Sequence, residues 1–159
     1  MGQTLDDPID RQLAAALMID GRATLKSLAQ ITGLSVSAVQ ARVRRLESDG
    51  VIKRYTAIVE PEALGLPLAA LIAITPLDPD HEYDIPELLA ELPEVEACHS
   101  VAGDDSFVLF VRVTGPTALE SLIREIRRRT NVSTRTTVVL QTFFDRSPQP
   151  PYAPTSDRK

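Results

Sequence analysis

The spacing of apolar residues changes at Val51, and this change constrains the fold more than any other feature of the sequence. Before Val51, apolar residues recur every three or four positions, which is the period of a helix with one buried face. After it, apolar runs of strand length alternate with two short helical patterns. A chain of 159 residues can hold two small domains. We therefore predict a helical N-terminal domain followed by a domain of mixed α and β structure.

Three helices are predicted within residues 1–50, each opened by a capping residue and closed at or beside a glycine. Asp10, in the first turn of the first helix, is expected to interact favourably with the helix dipole. The predicted start and stop residues are Asp7 with Asp20-Gly21, Thr24 with Gly33, and Ser35 with Asp49-Gly50. The residues expected to pack from the second and third helices are Leu28, Ala29, Ile31, Val36, Val39, Val43 and Leu46.

The rest of the chain predicts the element order β-α-β-β-α-β, which is that of a ferredoxin-like sandwich. In this α+β fold an antiparallel sheet carries both helices on one face. The predicted strands are 68–75, 95–101, 107–113 and 132–140, the helices are 84–92 and 119–129, and a turn at 102–106 joins the middle strands. The predicted domains are a three-helix helix-turn-helix at 1–50, a strand-like linker at 51–66, the βαββαβ domain at 67–146 and a disordered Pro-rich tail at 147–159.

Charge is distributed unevenly along the chain, whose formal net charge is -5. Residues 1–60 hold 8 basic and 7 acidic side chains, a net +1, whereas 61–159 hold 9 and 15, a net -6. Such a balance is typical of a small basic DNA-binding domain joined to an acidic sensor. Neither a membrane span nor a signal peptide is evident, and one cysteine excludes an internal disulfide framework. We therefore expect a soluble cytoplasmic protein that does not bind membranes.

An enzyme is not predicted, because no catalytic constellation can be assembled from the sequence. Cys98 and His99 are adjacent, but neighbouring residues on a strand point to opposite faces and cannot act as nucleophile and base. The spacings typical of metal ligands and the glycine-rich loops that hold phosphates are both absent. We expect no cofactor and no metal.

The third predicted helix has the composition of a DNA-recognition helix. Opposite its apolar stripe, small residues would let the helix approach the floor of the major groove, while glutamine can bind adenine and arginine can bind guanine or phosphate. The alternative is an ordinary solvated helix face. The predicted DNA-binding residues are Ser35, Ser37, Ala38, Gln40, Ala41, Arg42, Arg44 and Arg45.

The order of short motifs resembles the Lrp/AsnC (feast/famine) family of bacterial and archaeal regulators over residues 5–145. The matching segments are Ile9-Asp10-Arg11, Asp20-Gly21-Arg22, Leu28-Ala29, Gly33-Leu34-Ser35, Arg42-Val43-Arg44-Arg45-Leu46-Glu47, Gly50-Val51-Ile52-Lys53 with Tyr55, and Leu64-Gly65. The resemblance implies an N-terminal helix-turn-helix, a C-terminal sensing domain, an amino-acid effector, and homodimers that assemble further, often to octamers. A dimer also follows from the small size of the three-helix domain, because one such domain makes few phosphate contacts and useful affinity requires two half-sites. The apolar stretch 68–74 and the strand 132–140 could pack between subunits or simply form sheet core.

The resemblance also implies that a Gly-x-x-Asp-aromatic hairpin helps to form the effector site. This chain has Gly103-Asp104-Asp105-Ser106-Phe107, so Ser106 stands where the family usually has aspartate. The two preceding acids could contact an effector ammonium group, or they could be ordinary solvated turn residues. The predicted effector-binding residues are Ser100, Gly103, Asp104, Asp105, Ser106, Thr134 and Thr136.

The sequence therefore predicts a sequence-specific transcription regulator of amino-acid metabolism that binds double-stranded DNA and responds to an amino acid. One alternative is a broadly binding DNA-organising protein of the same fold without an effector. Another is an assembly or sensing module with a vestigial helical unit. The Ser35 cap, the three arginines and the apolar stripe of the third helix argue against the vestigial unit.

Overall fold

A computed structural model describes residues 5–78 and 83–145 of the chain. Contacts divide it into two compact units, an N-terminal unit through Ile58, which also includes Phe144 and Asp145, and a C-terminal unit, Val59–Phe143. The predicted disordered tail, 147–159, lies outside the described residues, as does part of the loop before the fourth helix. Within the described ranges, no helix is long and apolar enough to cross a membrane.

The N-terminal unit consists of α1 (Pro8–Ile19), α2 (Leu25–Thr32) and α3 (Val36–Ser48). The three predicted caps are confirmed: Asp7 accepts a hydrogen bond of 2.7 Å from the N–H of Ile9, and Thr24 and Ser35 accept from the N–H three residues later. Gly33 ends α2 in the left-handed conformation (φ 71°), which a residue without Cβ adopts at no steric cost.

The core of the N-terminal unit joins one face from each helix, and its buried residues are Leu13, Leu28, Val39, Val43 and Leu46. The prediction was wrong for Val36 and Ile31, whose side chains are about half exposed (46% and 53%). Val36 is the first residue of α3, and helical side chains lean toward the N-terminus, so it projects beyond the packed turns. Ile31 lies in the last turn of α2 and lines an open apolar groove with Ile19.

The linker was predicted to be strand-like, and this is wrong for the described structure. No strand lies between α3 and Leu68, because none of the four sheet strands pairs with this segment; a 3-10 helix, Pro61–Leu64, is its only regular element. Val51 and Ile52 instead pack against the N-terminal core. The N–H of Ile52 donates a 2.9 Å hydrogen bond to the carbonyl of Leu46, which folds the chain back after α3.

The C-terminal unit confirms the predicted ferredoxin-like order. Its strands are β1 (Leu68–Pro76), β2 (Val95–Ser100), β3 (Phe107–Val113) and β4 (Val132–Val138), and its helices are α4 (Ile85–Ala90) and α5 (Pro116–Thr130). The sheet order is β2-β3-β1-β4, and all three pairings are antiparallel.

Both helices of the C-terminal unit pack on one face of this sheet. The inward residues of the central strands alternate with outward ones, so β3 is buried at every second position from Phe107 to Val113. On the other face Leu71 remains 41% exposed, and Phe110 is half-buried with the Arg112 guanidinium 5.2 Å from its ring centre. The core residues contributed by α4 and α5 are Ile85, Leu89, Leu119, Leu122 and Ile126.

Candidate DNA interface and effector region

The outward surface of α3 is a stripe of four exposed residues, Ser37, Gln40, Ala41 and Arg44. Their spacing of 3, 1 and 3 residues places them on one side of a helix, opposite the buried Val39, Val43 and Leu46. We call this stripe the reading face. It offers two small side chains, one amide and one guanidinium, a combination that can approach base edges and bind them.

Arg42 and Arg45, also predicted to bind DNA, lie instead in an ion-pair cluster with α1. Arg42 donates hydrogen bonds of 2.8 Å to Asp7 Oδ2 and Asp10 Oδ1, and Arg45 pairs with Asp10 Oδ2. The hydrogen bond from Arg42 lowers the pKa of the Asp7 carboxyl, and the two carboxylates raise the pKa of Arg42. Both arginines therefore connect α3 to α1.

Asp10 is the residue of this cluster that sequence reasoning missed. It was assigned to the helix dipole, but its side chain is buried against α3, with the residue only 4% exposed. The available signal was its position three residues before Leu13, on the buried side of α1.

Ser35 and Ala38, the other predicted DNA-binding residues, open α3. The Ser35 hydroxyl accepts a 3.3 Å hydrogen bond from the Ala38 N–H and lies 3.1 Å from the Ser37 hydroxyl. Ala38 is half-buried, so it lies at the edge of the reading face.

Tyr55 anchors the linker to the end of α3. Its hydroxyl donates a 2.9 Å hydrogen bond to Glu47 Oε1. Partial burial and then this carboxylate raise the pKa of the Tyr55 phenol. The sequence indicates Tyr55 only through the family resemblance, because a hydrogen bond across eight residues outside regular structure leaves no periodic signal.

In the C-terminal unit, the predicted effector turn is attached to the end of the central strand. The N–H of Ser106 donates a 3.1 Å hydrogen bond to the carbonyl of Ile74, and the N–H of Val101 donates one of 3.0 Å to the carbonyl of Ser106. Gly103 has a φ of 146°, a conformation that residues with a Cβ rarely adopt. The glycine of the family motif is therefore required here by the backbone.

Asp105 is the acid of the turn that faces other side chains. Thr75 Oγ1 donates a 3.4 Å hydrogen bond to Asp105 Oδ1, and the Arg135 guanidinium pairs with Oδ2. Asp104 is exposed, and Ser106 is half-buried. Arg135, a partner not anticipated from the sequence, could have been found only from the β1–β4 register, which places it opposite Ala73.

The two predicted threonines lie on the opposite face of the sheet from Asp105. Thr134 pairs with Ile74 and Thr136 with Ile72, and directly paired residues share a face. Because both isoleucines are in the core, both threonines face the helices. Arg127 of α5 accordingly donates hydrogen bonds of 2.8 and 2.5 Å to the Thr134 hydroxyl. The fold thus places Asp105 beside Thr75 and Arg135, whereas Thr134 and Thr136 lie on the opposite face of the sheet.

Ser100 is exposed at the end of the edge strand β2. Within residues 5–78 and 83–145, no group of three or more histidine, cysteine, aspartate or glutamate side chains is arranged to hold a metal ion. Cys98 is a free thiol of intermediate exposure, and burial raises its pKa.

Comparison with known proteins identifies both units. Residues 7–47 match the model of the AsnC-type helix-turn-helix domain, and residues 69–149 match that of the Lrp/AsnC ligand binding domain. The chain is 56% identical over 144 residues to the HTH-type transcriptional regulator LrpA of Mycobacterium tuberculosis, an alignment that covers 91% of this chain and 95% of the relative.

Two solved structures with an amino acid bound have the same fold. The feast or famine regulatory protein of Mycobacterium tuberculosis, complexed with L-methionine, superposes with a TM-score of 0.86 at 55% identity and covers 91% of this chain and 99% of its own. A transcriptional regulator of Neisseria meningitidis in complex with L-methionine gives a TM-score of 0.81 at 25% identity, covering 89% and 94%. With matching family models over both units, this chain belongs to the Lrp/AsnC family of helix-turn-helix, DNA-binding transcriptional regulators.

Proposed function

We propose that this protein is a sequence-specific regulator of amino-acid metabolism whose occupancy of DNA is modulated by an amino acid bound in its C-terminal domain. The observation that carries the proposal is the reading face of α3. Ser37 and Ala41 are small enough to let the helix approach the floor of the major groove. Gln40 has the donor and acceptor that bind adenine, and Arg44 has the fork that binds guanine O6 and N7.

The working unit is proposed to be a homodimer, with dimers assembling further to octamers. One three-helix unit contacts few phosphates, so selective binding requires two reading helices in successive major grooves. The open sheet face supports the dimer, because Leu71 is 41% exposed and Val108 and Phe110 beside it are only half-buried. Apolar surface of this kind is stabilised when a second copy covers it.

The effector is proposed to be an amino acid, with methionine the first to test. A free amino acid carries an ammonium and a carboxylate, and the turn carries their complements in Asp105 and Arg135. Charge-assisted hydrogen bonds to both groups would orient the ligand. Binding would replace the Asp105–Arg135 ion pair with two others, one between Asp105 and the ammonium and one between Arg135 and the carboxylate. The methionine complexes of the two structural relatives support this ligand class.

Regulation then follows from linkage. An effector that binds one assembly state more tightly than another shifts the equilibrium toward that state, and by no more than the difference in affinity. If the assembly state determines how many reading helices engage one DNA molecule, the amino acid changes which operators are occupied.

A second candidate is a DNA-organising protein that binds broadly and has no effector. The observation that favours it is Ser106, which replaces the acid of the family motif and is half-buried in the turn. The two candidates share the reading face and differ in whether a ligand binds.

The DNA part is tested by gel shift with Arg44→Ala and Gln40→Ala at one salt concentration. Each should lose about 1–3 kcal/mol of discrimination between cognate and altered sites. Arg124→Ala, an exposed arginine of α5 in the other unit, is the matched control and should bind like the parent protein. Unchanged discrimination in both α3 variants would refute the assignment of the reading face.

The effector part is tested by thermal shift against the common amino acids at millimolar concentration. Ligand at 100 times Kd should stabilise the protein by about 2.7 kcal/mol. A shift confined to one class of amino acid supports effector control and names the ligand for gel shifts. A flat panel, together with intact DNA binding, favours the DNA-organising protein.

A further inference from the structure

We propose that Asp10 is a positioning residue of the DNA interface. By holding Arg42 and Arg45 against α1, it withholds both from the DNA phosphates and leaves Arg44 as the α3 arginine that contacts DNA. The inference rests on the proposed function, in which α3 enters the major groove. It divides three arginines within four residues, which look alike in the sequence, into one reader and two residues that hold the helix.

Burial of Asp10 stabilises its ion pairs with Arg42 and Arg45. The Asp10 side chain is 6% exposed, and its two oxygens are occupied by different arginines, Oδ1 by Arg42 and Oδ2 by Arg45. A carboxylate removed from water needs a paired charge, and removing the partner leaves it uncompensated. An arginine that left Asp10 for an exposed phosphate would therefore lose more interaction free energy than it gained, because the new contact would be screened by solvent.

The direction of the side chains agrees with this division. At ~100° per residue, Arg42 and Arg44 project about 160° apart around the helix axis. Arg42 is directed toward α1, where Asp7 adds a second carboxylate at 2.8 Å. Arg45 is the intermediate case, since its side chain is 54% exposed although its guanidinium is bound to Asp10. Neutralising Asp10 should thus release Arg45 first.

The measurable consequence is the salt dependence of DNA binding. Each phosphate neutralised by a protein cation contributes about 0.9 to the negative slope of log K against log salt concentration. An arginine held by Asp10 contributes nothing to that slope. An arginine released from Asp10 adds about 0.9 to the magnitude of the slope for each α3 helix bound to DNA. Between 50 and 200 mM salt this corresponds to a roughly threefold larger loss of affinity.

The experiment measures this slope for the full chain and four variants: Asp10→Asn, Arg45→Gln, Arg44→Gln, and Asp10→Asn combined with Arg45→Gln. We expect Asp10→Asn to steepen the slope, the double variant to return it to the parent value, and Arg45→Gln alone to leave it unchanged. Arg44→Gln, which removes a proposed base contact, should lower affinity for the cognate site and discrimination against altered sites. Asp49→Asn is the control for loss of one acidic charge near α3, because Asp49 is exposed at the end of that helix. It should leave the slope at the parent value.

Circular dichroism establishes whether Asp10→Asn is folded. A folded Asp10→Asn with the parent slope would overturn the inference, as would an Arg45→Gln variant whose slope is flatter than that of the parent by about 0.9. If Asp10→Asn does not fold, the slope of Arg45→Gln decides alone. If Arg44→Gln leaves affinity and discrimination unchanged, the proposed function itself fails, and that outcome is distinct from failure of the role of Asp10.

Discussion

Asp105, in the turn between β2 and β3, forms an ion pair with Arg135 on β4. The pair joins two elements 30 residues apart in the sequence, and it lies on the sheet face that the helices leave open. The Arg135 side chain is 71% exposed, which argues against a large contribution to folding, because ion pairs open to solvent contribute about 0–1 kcal/mol. A pair that stabilises little and that matches the two charges of an amino acid is well placed to bind a ligand.

If methionine binds as proposed, Arg135→Ala should abolish its binding while leaving the fold intact. We expect the ligand-induced stabilisation of about 2.7 kcal/mol at 100 times Kd to disappear, while the free energy of unfolding without ligand changes by less than about 1 kcal/mol. Thermal shift with and without methionine measures both. Arg124→Ala, which breaks an exposed ion pair with Glu120, is the matched control and should keep the ligand response. An undiminished response in Arg135→Ala would exclude this residue from the site.

Ile72→Ala and Leu71→Ala should separate folding from assembly, because these neighbours on β1 point to opposite faces. Ile72 is fully buried against α4 and α5, so truncating it should cost about 2–5 kcal/mol in urea denaturation. Leu71 is 41% exposed, so truncating it should cost the isolated unit far less stability and should weaken the proposed dimer. Sedimentation velocity over a concentration series measures dimer dissociation. A Leu71→Ala dimer as tight as the parent would show that this face is not the subunit interface.

Ser35→Ala should destabilise the N-terminal unit by about 1 kcal/mol, because it removes the acceptor for the Ala38 N–H. Ser35→Asn supplies another capping oxygen and should keep the stability of the parent protein. Thermal unfolding followed by circular dichroism measures both variants. A gel shift then separates capping from DNA contact: if Ser35→Asn restores stability but not DNA affinity, the hydroxyl itself contacts DNA.

Glu125 should make the C-terminal unit sensitive to acid. Hydrogen bonds from Arg128 and Arg129 lower its pKa from 4.5 to about 2. Because the folded value is the lower one, the stabilisation is complete above pH 4.5 and is lost as the pH falls toward 2. Glu125→Gln should therefore flatten the dependence of the urea midpoint on pH between 4.5 and 2. In an Arg128→Ala/Arg129→Ala background the same substitution should have no such effect, and an effect that persists there would assign the sensitivity to other groups.

Local sequence was sufficient wherever a short-range rule decides the structure. Asp7, Thr24 and Ser35 cap the helices as predicted, because a capping oxygen reaches only the next two or three N–H groups. The order of the C-terminal elements was also predictable, since alternation and helical period are properties of short windows. Gly103 is a further example, because the turn requires a positive φ at this position and glycine adopts it without steric cost.

Tertiary structure decided which partner each charged residue contacts. Arg42, Arg44 and Arg45 are equivalent in composition and separated by at most three positions. Their contacts differ because Asp10, more than 30 residues earlier, is buried at the contact of α1 with α3 and binds Arg42 and Arg45. Likewise, the partner of Asp105 depends on the register of β4 against β1, and a shift of one residue would have offered Thr134 or Thr136 instead. Periodicity predicts which face a residue occupies, but only the packing of distant elements determines which charge it meets there.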